Sequence, residues 1–158
     1  MGKRSAGILL YRLVAGRPEV LLVHPGGPFW KNKDAGAWSV PKGEHEADEQ
    51  PRAAALREFE EETGLALDDV ELVELGEVRQ RNGKVVTAWA AERDFDASAL
   101  RSNDFEIEWP PRSGRRQRFP EVDRAEWFDP GTAREKINPA QAAFVDRLLD
   151  LLGATGRL

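Results

Sequence analysis

GEHEADEQPRAAALREFEEETGL, residues 43–65, carries seven glutamates and one aspartate against two arginines, Arg52 and Arg57. Glu58, Glu60, Glu61 and Glu62 fall within five residues. Like charges three or four apart on a helix repel by about 0.2–0.5 kcal/mol per pair, so the concentration needs a physical reason. The spacing predicts a helix from about Gln50 to Thr63. Pro51 suits its first turn, Ala53, Ala54, Ala55 and Leu56 favour it, and Gly64 suits its C-terminal cap. At about 100° per residue, Glu62 sits near +40° and Glu61 near −60° from Glu58, while Glu60 points away. Three carboxylates on one arc, with Arg57 as the cation near in sequence, call for a counterion. A hard divalent cation with oxygen ligands answers that need. A solvated acidic face is the alternative, and the usual meaning of a charge run. EFEEE by itself does not decide between them.

The surrounding chain supplies a fold for this helix. Residues 4–14, RSAGILLYRLV, and 19–24, EVLLVH, read as strands, joined by a turn at AGRP. Residues 25–37, PGGPFWKNKDAGA, read as a Gly/Pro-rich loop, and Trp38-Ser39-Val40 as a short extended piece. VELVELGEVRQR and KVVTAWAAER are two strands across Asn82-Gly83, the dipeptide of tight hairpins. FEIEW (105–109) and AEWF (125–128) are further strands, with PPRSGRRQRFPE between them as a basic loop. NPAQAAFVDRLLDLL ends the pattern as an amphipathic helix. Asn138 caps it, Pro139 takes its first position, and Ala142, Val145, Leu148, Leu149 and Leu152 form its apolar stripe. Strands and helices mix without regular alternation, so the fold class is α/β (α+β), a mixed sheet packed by helices.

The chain has 158 residues, suited to a single domain, with 23 basic and 28 acidic residues and a net charge of −5. That balance exerts no overall pull on nucleic acid or an anionic membrane. Without cysteine there is no disulfide, thiolate metal site or cysteine nucleophile. No apolar run approaches the ~20 residues of a membrane span, and AGILLY is cut short by Arg12, so the expected location is cytoplasmic. No G-x-x-x-x-G-K-[ST] loop or EF-hand pattern occurs.

The wider spacing decides the question of the glutamates. Gly43, five residues, Glu49, seven residues, then Arg57-Glu58-Phe59-Glu60-Glu61-Glu62-Thr63-Gly64-Leu65 resembles the box of the Nudix hydrolase family, G-x5-E-x7-R-E-U-x-E-E-x-G-U, with U apolar. Every specified position is filled. Phe59 stands where an aliphatic residue is commoner. SAGILLYR, EVLLVH and WSVPKGE before the box, and PEVDRAEWF after it, are also similar to the family. The resemblance is to MutT-like and diadenosine polyphosphate hydrolase-like members.

The resemblance implies an α/β/α sandwich around a mixed sheet, with the box as loop–helix–loop. It implies hydrolysis of a diphosphate linkage with Mg²⁺ or Mn²⁺ as cofactor. The substrate class is a nucleoside polyphosphate such as a diadenosine polyphosphate or a nucleoside triphosphate. Nucleic acid enters only as a 5′ end. Hydrolysis at an RNA 5′ end or of a diphosphoinositol polyphosphate, or a non-catalytic ligand-sensing module, are the alternatives.

By the same match, Glu58, Glu61 and Glu62 are the metal-binding carboxylates, and the backbone carbonyl of Gly43 adds a contact. Glu61 is the favoured base. Glu61, Glu58 and Arg57 make the catalytic set, Arg57 acting through a salt bridge to Glu49 that holds the loop to the helix. Glu121 resembles the extra glutamate that some members supply before the last strand. Glu106 and Glu108 are its rivals, and read as a solvent-facing strand edge. Lys42, Arg115 and Arg116 are expected to hold phosphates, and Trp30 to stack a base. Trp38, Trp89, Trp109 and Trp127 read as core, and His24 and His45 as incidental. The apolar stripes leave room for a homodimer.

Overall fold

The computed structural model describes residues 3–157. Its centre is β1 (Arg4–Val14), whose residues from Ser5 to Tyr11 are all buried. Such a run occurs where a strand is covered on both faces. Side chains alternate across it. Ile8 and Leu10 join one core with Leu21, Val23 and Phe59, while Leu9 and Tyr11 join another with Leu22, Phe144 and Leu148.

Around β1 the sheet runs β4 (Val73–Arg79), β5 (Val85–Glu92), β1, β2 (Arg17–Pro25), β8 (Val122–Phe128). β5 is parallel to β1 and the other pairings are antiparallel, so the sheet is mixed. The β4–β5 turn is where Asn82-Gly83 places it, with Gly83 at φ +88°. Helix α1 (Pro51–Thr63) covers one face, and α2 (Pro130–Lys136) and α3 (Ala142–Ala154) cover the other. This is the layered α+β fold the sequence implies.

Several details differ from the sequence reading. The box does not open as pure loop: Lys42–Glu44 is a short strand, β3, antiparallel to Ser5–Gly7 of β1. The basic segment after Trp109 is only half loop. Arg116–Pro120 is β7, and it pairs with β6 (Asp104–Glu108) in a separate two-stranded sheet. β7 has a single large apolar residue, Phe119, opposite Phe105, so no hydrophobic alternation announces it. The ion pair of Arg116 with Glu106 is the kind of cross-strand contact that stabilises such a ribbon. Helix α2 is too short to show a period. Its signal is the cap, since the Asp129 side chain accepts from Thr132 N–H and Pro130 follows. Asn138 caps a 3₁₀ turn, Pro139–Gln141, that leads into α3.

Candidate functional site

The site grows from the C-terminal half of α1. Ala54, Ala55 and Phe59 anchor the helix to the sheet, with all three fully buried. Glu58 is on the edge of that buried face, 9 % exposed, and lies over Gly43 of β3. A β-carbon at position 43 would overlap the Glu58 carboxylate. Glycine there lets a buried carboxylate lie directly against backbone. Gly64 ends the helix in the left-handed region at φ +82°, donating its N–H to Glu60 O at 2.8 Å.

Arg57 organises the acidic face. It grips both Glu49 oxygens at 3.0 Å, fixing the box loop to the helix, and also donates to Glu58 Oε1 at 2.8 Å and Glu61 Oε1 at 3.2 Å. Those bonds hold Glu49 below the usual carboxylate range and Arg57 above its ordinary value.

A second glutamate is positioned through backbone. Asn103 N–H donates to Glu61 O at the end of α1, Asn103 O accepts from Glu121 N–H at 2.8 Å, and Ser102 Oγ accepts from Val122 N–H. Segment 101–103 thereby laces the start of β8 to the end of α1. Gly26 N–H to Glu121 O ties in the end of β2.

The carboxylates feel one another. Burial raises Glu58, and the nearby Glu61 adds to it. Burial raises Glu121, again with Glu61 adding. Glu62 is pushed up to about 8, chiefly by burial, although Lys42 N–H donates to it at 3.2 Å. Burial lowers Lys42, against the pull of Glu62. Two groups that would attract as ions are thus both driven toward neutrality in the metal-free protein. Lys42, Glu62 and Glu121 share a narrow cleft of about 130 Å³ with Pro25, Val40 and Val122. Glu61 and Arg57 face a shallower hollow with Glu60 and Asn103. A hollow of about 370 Å³ between Tyr11, Glu92, Leu151 and Arg157 lies toward the other end of β1 and holds none of these carboxylates.

An all-oxygen donor set of mutually repelling, partly buried carboxylates fits a hard divalent cation. Among the described residues no three acidic or histidine side chains already converge on one coordination point. Arg57 engages two of the three box carboxylates, so cation binding would entail side-chain rotation.

The other expected residues divide. Trp30 lies in the exposed loop with the Lys33 ammonium 5.2 Å from its ring. Arg116 is engaged with Glu106, and among the described residues neither Arg115 nor Arg116 lines the cleft of Lys42 and Glu62. Glu106 and Glu108 are exposed on the hairpin, where Glu108 accepts from Arg112 N–H. Trp38 and Trp89 are core, but Trp109 and Trp127 are only half-buried.

Two polar residues carry no motif and still shape the site. Gln141, fully buried, accepts from Val40 N–H and donates to Ser39 Oγ and Gln80 Oε1. It pins the strand entering the box. His24, also fully buried, presents Nδ1 to Asp123 Oδ1 at 2.8 Å and Nε2 to Lys33 O at 2.7 Å. It ties loop 25–37 to β8 and is not incidental.

The family model for the NUDIX domain matches residues 1–148. The chain belongs to the Nudix hydrolase family. An octanoyltransferase of Myxococcus xanthus is 37% identical over 102 residues, 65% of this chain and 25% of that protein. The mRNA-decapping protein g5R of African swine fever virus is 47% identical over 36 residues, 23% of this chain and 15% of that one. The matches thus span a quarter or less of these curated relatives. A binary complex of the Ap4A hydrolase of C. elegans superposes with a TM-score of 0.70 at 21% identity, covering 96% of this chain and 98% of that one, a likeness of fold. Divalent metal use is general in the family. Among the described residues no helix is long and apolar enough to cross a membrane.

Proposed function

We propose that this chain is a pyrophosphohydrolase that uses Mg²⁺ or Mn²⁺ to cleave a P–O–P linkage in a nucleoside polyphosphate. The observation that carries the reading is the convergence of α1 and β8. Burial first, and neighbouring carboxylate charge second, raises the proton affinity of Glu58 and Glu62 on α1 and of Glu121 just before β8, and Glu62 and Glu121 line one cleft with Lys42.

Glu58, Glu61, Glu62, Glu121 and the Gly43 carbonyl are the groups that would hold the cation. When bound, the ion neutralises phosphate charge and polarises the phosphoryl oxygens. Glu61, with 37% of its side chain exposed to water, is the proposed acceptor of the proton of the attacking water. Lys42 offers its ammonium to a phosphate oxygen, and the negative charge of the substrate offsets the burial that lowers its proton affinity. Arg57 keeps Glu58 and Glu61 on the reacting face through its hold on Glu49. Arg115 and Arg116 would reach only the outer phosphates of a long chain, and Trp30 only a base at the mouth.

The test is a hydrolysis screen with each metal over diadenosine polyphosphates, nucleoside triphosphates, ADP-ribose, triphosphorylated RNA and diphosphoinositol phosphates, with products identified by mass. A substrate whose turnover is lost with EDTA and in Glu62→Gln supports the reading. No turnover across the panel, with tight binding of one compound, replaces it with a ligand-sensing module.

A further inference from the structure

A second cavity, of about 390 Å³, opens between loop 25–37 and the β6–β7 hairpin. Trp109, Phe119 and Pro28 give it flat apolar walls, and Lys31, Gln117 and Asp123 stand at its polar edge. It shares two chain segments with the carboxylate cleft. Pro25 lines the cleft and Gly27 and Pro28 line the slot, while Pro120 and Asp123 of the slot bracket Glu121 and Val122 of the cleft. The two cavities thus border the same two chain segments.

The slot is built, not incidental. Phe29 packs edge-on against Trp109 at 5.2 Å. The backbone approaches it through Gly27 at φ +95°, where a β-carbon would stand 2.8 Å from Phe105 Cζ. Gln117 Nε2 donates to Trp109 O at 2.8 Å, and among the described residues its Oε1 has no donor. The His24 bond takes Oδ1 of Asp123 and leaves Oδ2. Two acceptors beside a lysine ammonium suit a planar ring that offers amino hydrogens and an acceptor on one edge.

We propose that this slot is the base-binding subsite of the chain and that it takes a purine stacked on Trp109, with the attached phosphates running into the cleft of Lys42, Glu62 and Glu121. The inference rests on the function proposed above for that cleft. It assigns specificity to Trp109 and Gln117 in place of Trp30. A purine covers more of an indole than a pyrimidine does, and stacking a base on an aromatic side chain is worth roughly 5- to 150-fold in affinity.

The experiment is calorimetric binding of AMP, GMP, UMP and ribose 5-phosphate to the full chain in Mg²⁺, repeated on Trp109→Ala and Gln117→Ala. The wild-type protein is expected to hold a purine monophosphate about tenfold or more tighter than ribose 5-phosphate, with UMP between. Trp109→Ala should erase that ratio without weakening ribose 5-phosphate. Gln117→Ala, an exposed change that leaves the hairpin intact, should reduce it about threefold. Equal binding of ribose 5-phosphate and nucleotides, or an unchanged ratio in both variants, overturns the subsite. Turnover of a diphosphate with no base preference would overturn the slot and leave the hydrolase. A purine preference lost in Trp109→Ala, with no turnover of anything, would leave the slot and overturn the hydrolase.

Discussion

Remove metal with EDTA and raise the pH from 5 to 8.5, and the protein should lose stability in a way that Glu62→Gln abolishes. Glu62 has a model-peptide value of 4.5 and is pushed up to about 8 in the fold. Between those values the folded chain holds a proton that the unfolded chain has released. Stability is therefore full below about pH 4.5 and falls as pH rises toward 8, by up to about 1.4 kcal/mol per unit. The full interval corresponds to about 5 kcal/mol, and water entering the open cleft reduces this to the order of 2 kcal/mol. For a chain of this length 1 kcal/mol moves the Tm by about 2–4 °C. The wild-type Tm should therefore fall by about 4–8 °C relative to the variant. Glutamine keeps an acceptor for Lys42 N–H, so the comparison removes the charge and little else. Glu58 and Glu121 are raised in the same direction, and their coupling to Glu62 means that the variant also relieves part of their shift, which adds to the difference with the same sign. Mg²⁺ or Mn²⁺ should restore the wild-type Tm at pH 8 and do little for the variant. A difference independent of pH, or a variant less stable than wild type at pH 8 in EDTA, would refute the account of a strained carboxylate awaiting a cation.

Glu61→Gln should lower kcat by about 10²–10⁴, the range of a lost general base, while circular dichroism and Tm in EDTA stay at or above wild type. Gly43→Ala should displace the Glu58 carboxylate, costing about 1–3 kcal/mol by chemical denaturation and weakening Mn²⁺ binding measured by electron spin resonance. Gln141→Leu should destabilise by about 2–3 kcal/mol in urea unfolding, because it leaves Val40 N–H and Gln80 buried without their partner.

The box was legible because its chemistry is local: Glu58, Glu61 and Glu62 reach one helix face by their spacing, and Gly64 ends that helix for the same backbone reason anywhere. β1, β2 and the Asn82-Gly83 hairpin were legible for equally local reasons, buried apolar runs and a turn dipeptide. The slot was not. Its walls come from residues 27–31 and 109–123, joined only when β8 pairs with β2, and β7 has no apolar alternation to declare it a strand. Trp109 looked like core because a tryptophan in a strand usually is, and only the fold shows it standing at the edge of a hairpin. Ser102, Asn103 and Gln141 act through hydrogen bonds to backbone far along the chain, and no spacing rule encodes such partners.

The Gln141 contacts have a mechanical consequence. One amide joins the first turn before α3, the end of β4 and the two residues that lead into Pro41 and the box. Strand β3, which carries Lys42 and Gly43, is thereby suspended from the opposite layer of the sandwich. Loosening the C-terminal helix would slacken that suspension, so the face that carries the box helix and the far face of this protein form one structural unit.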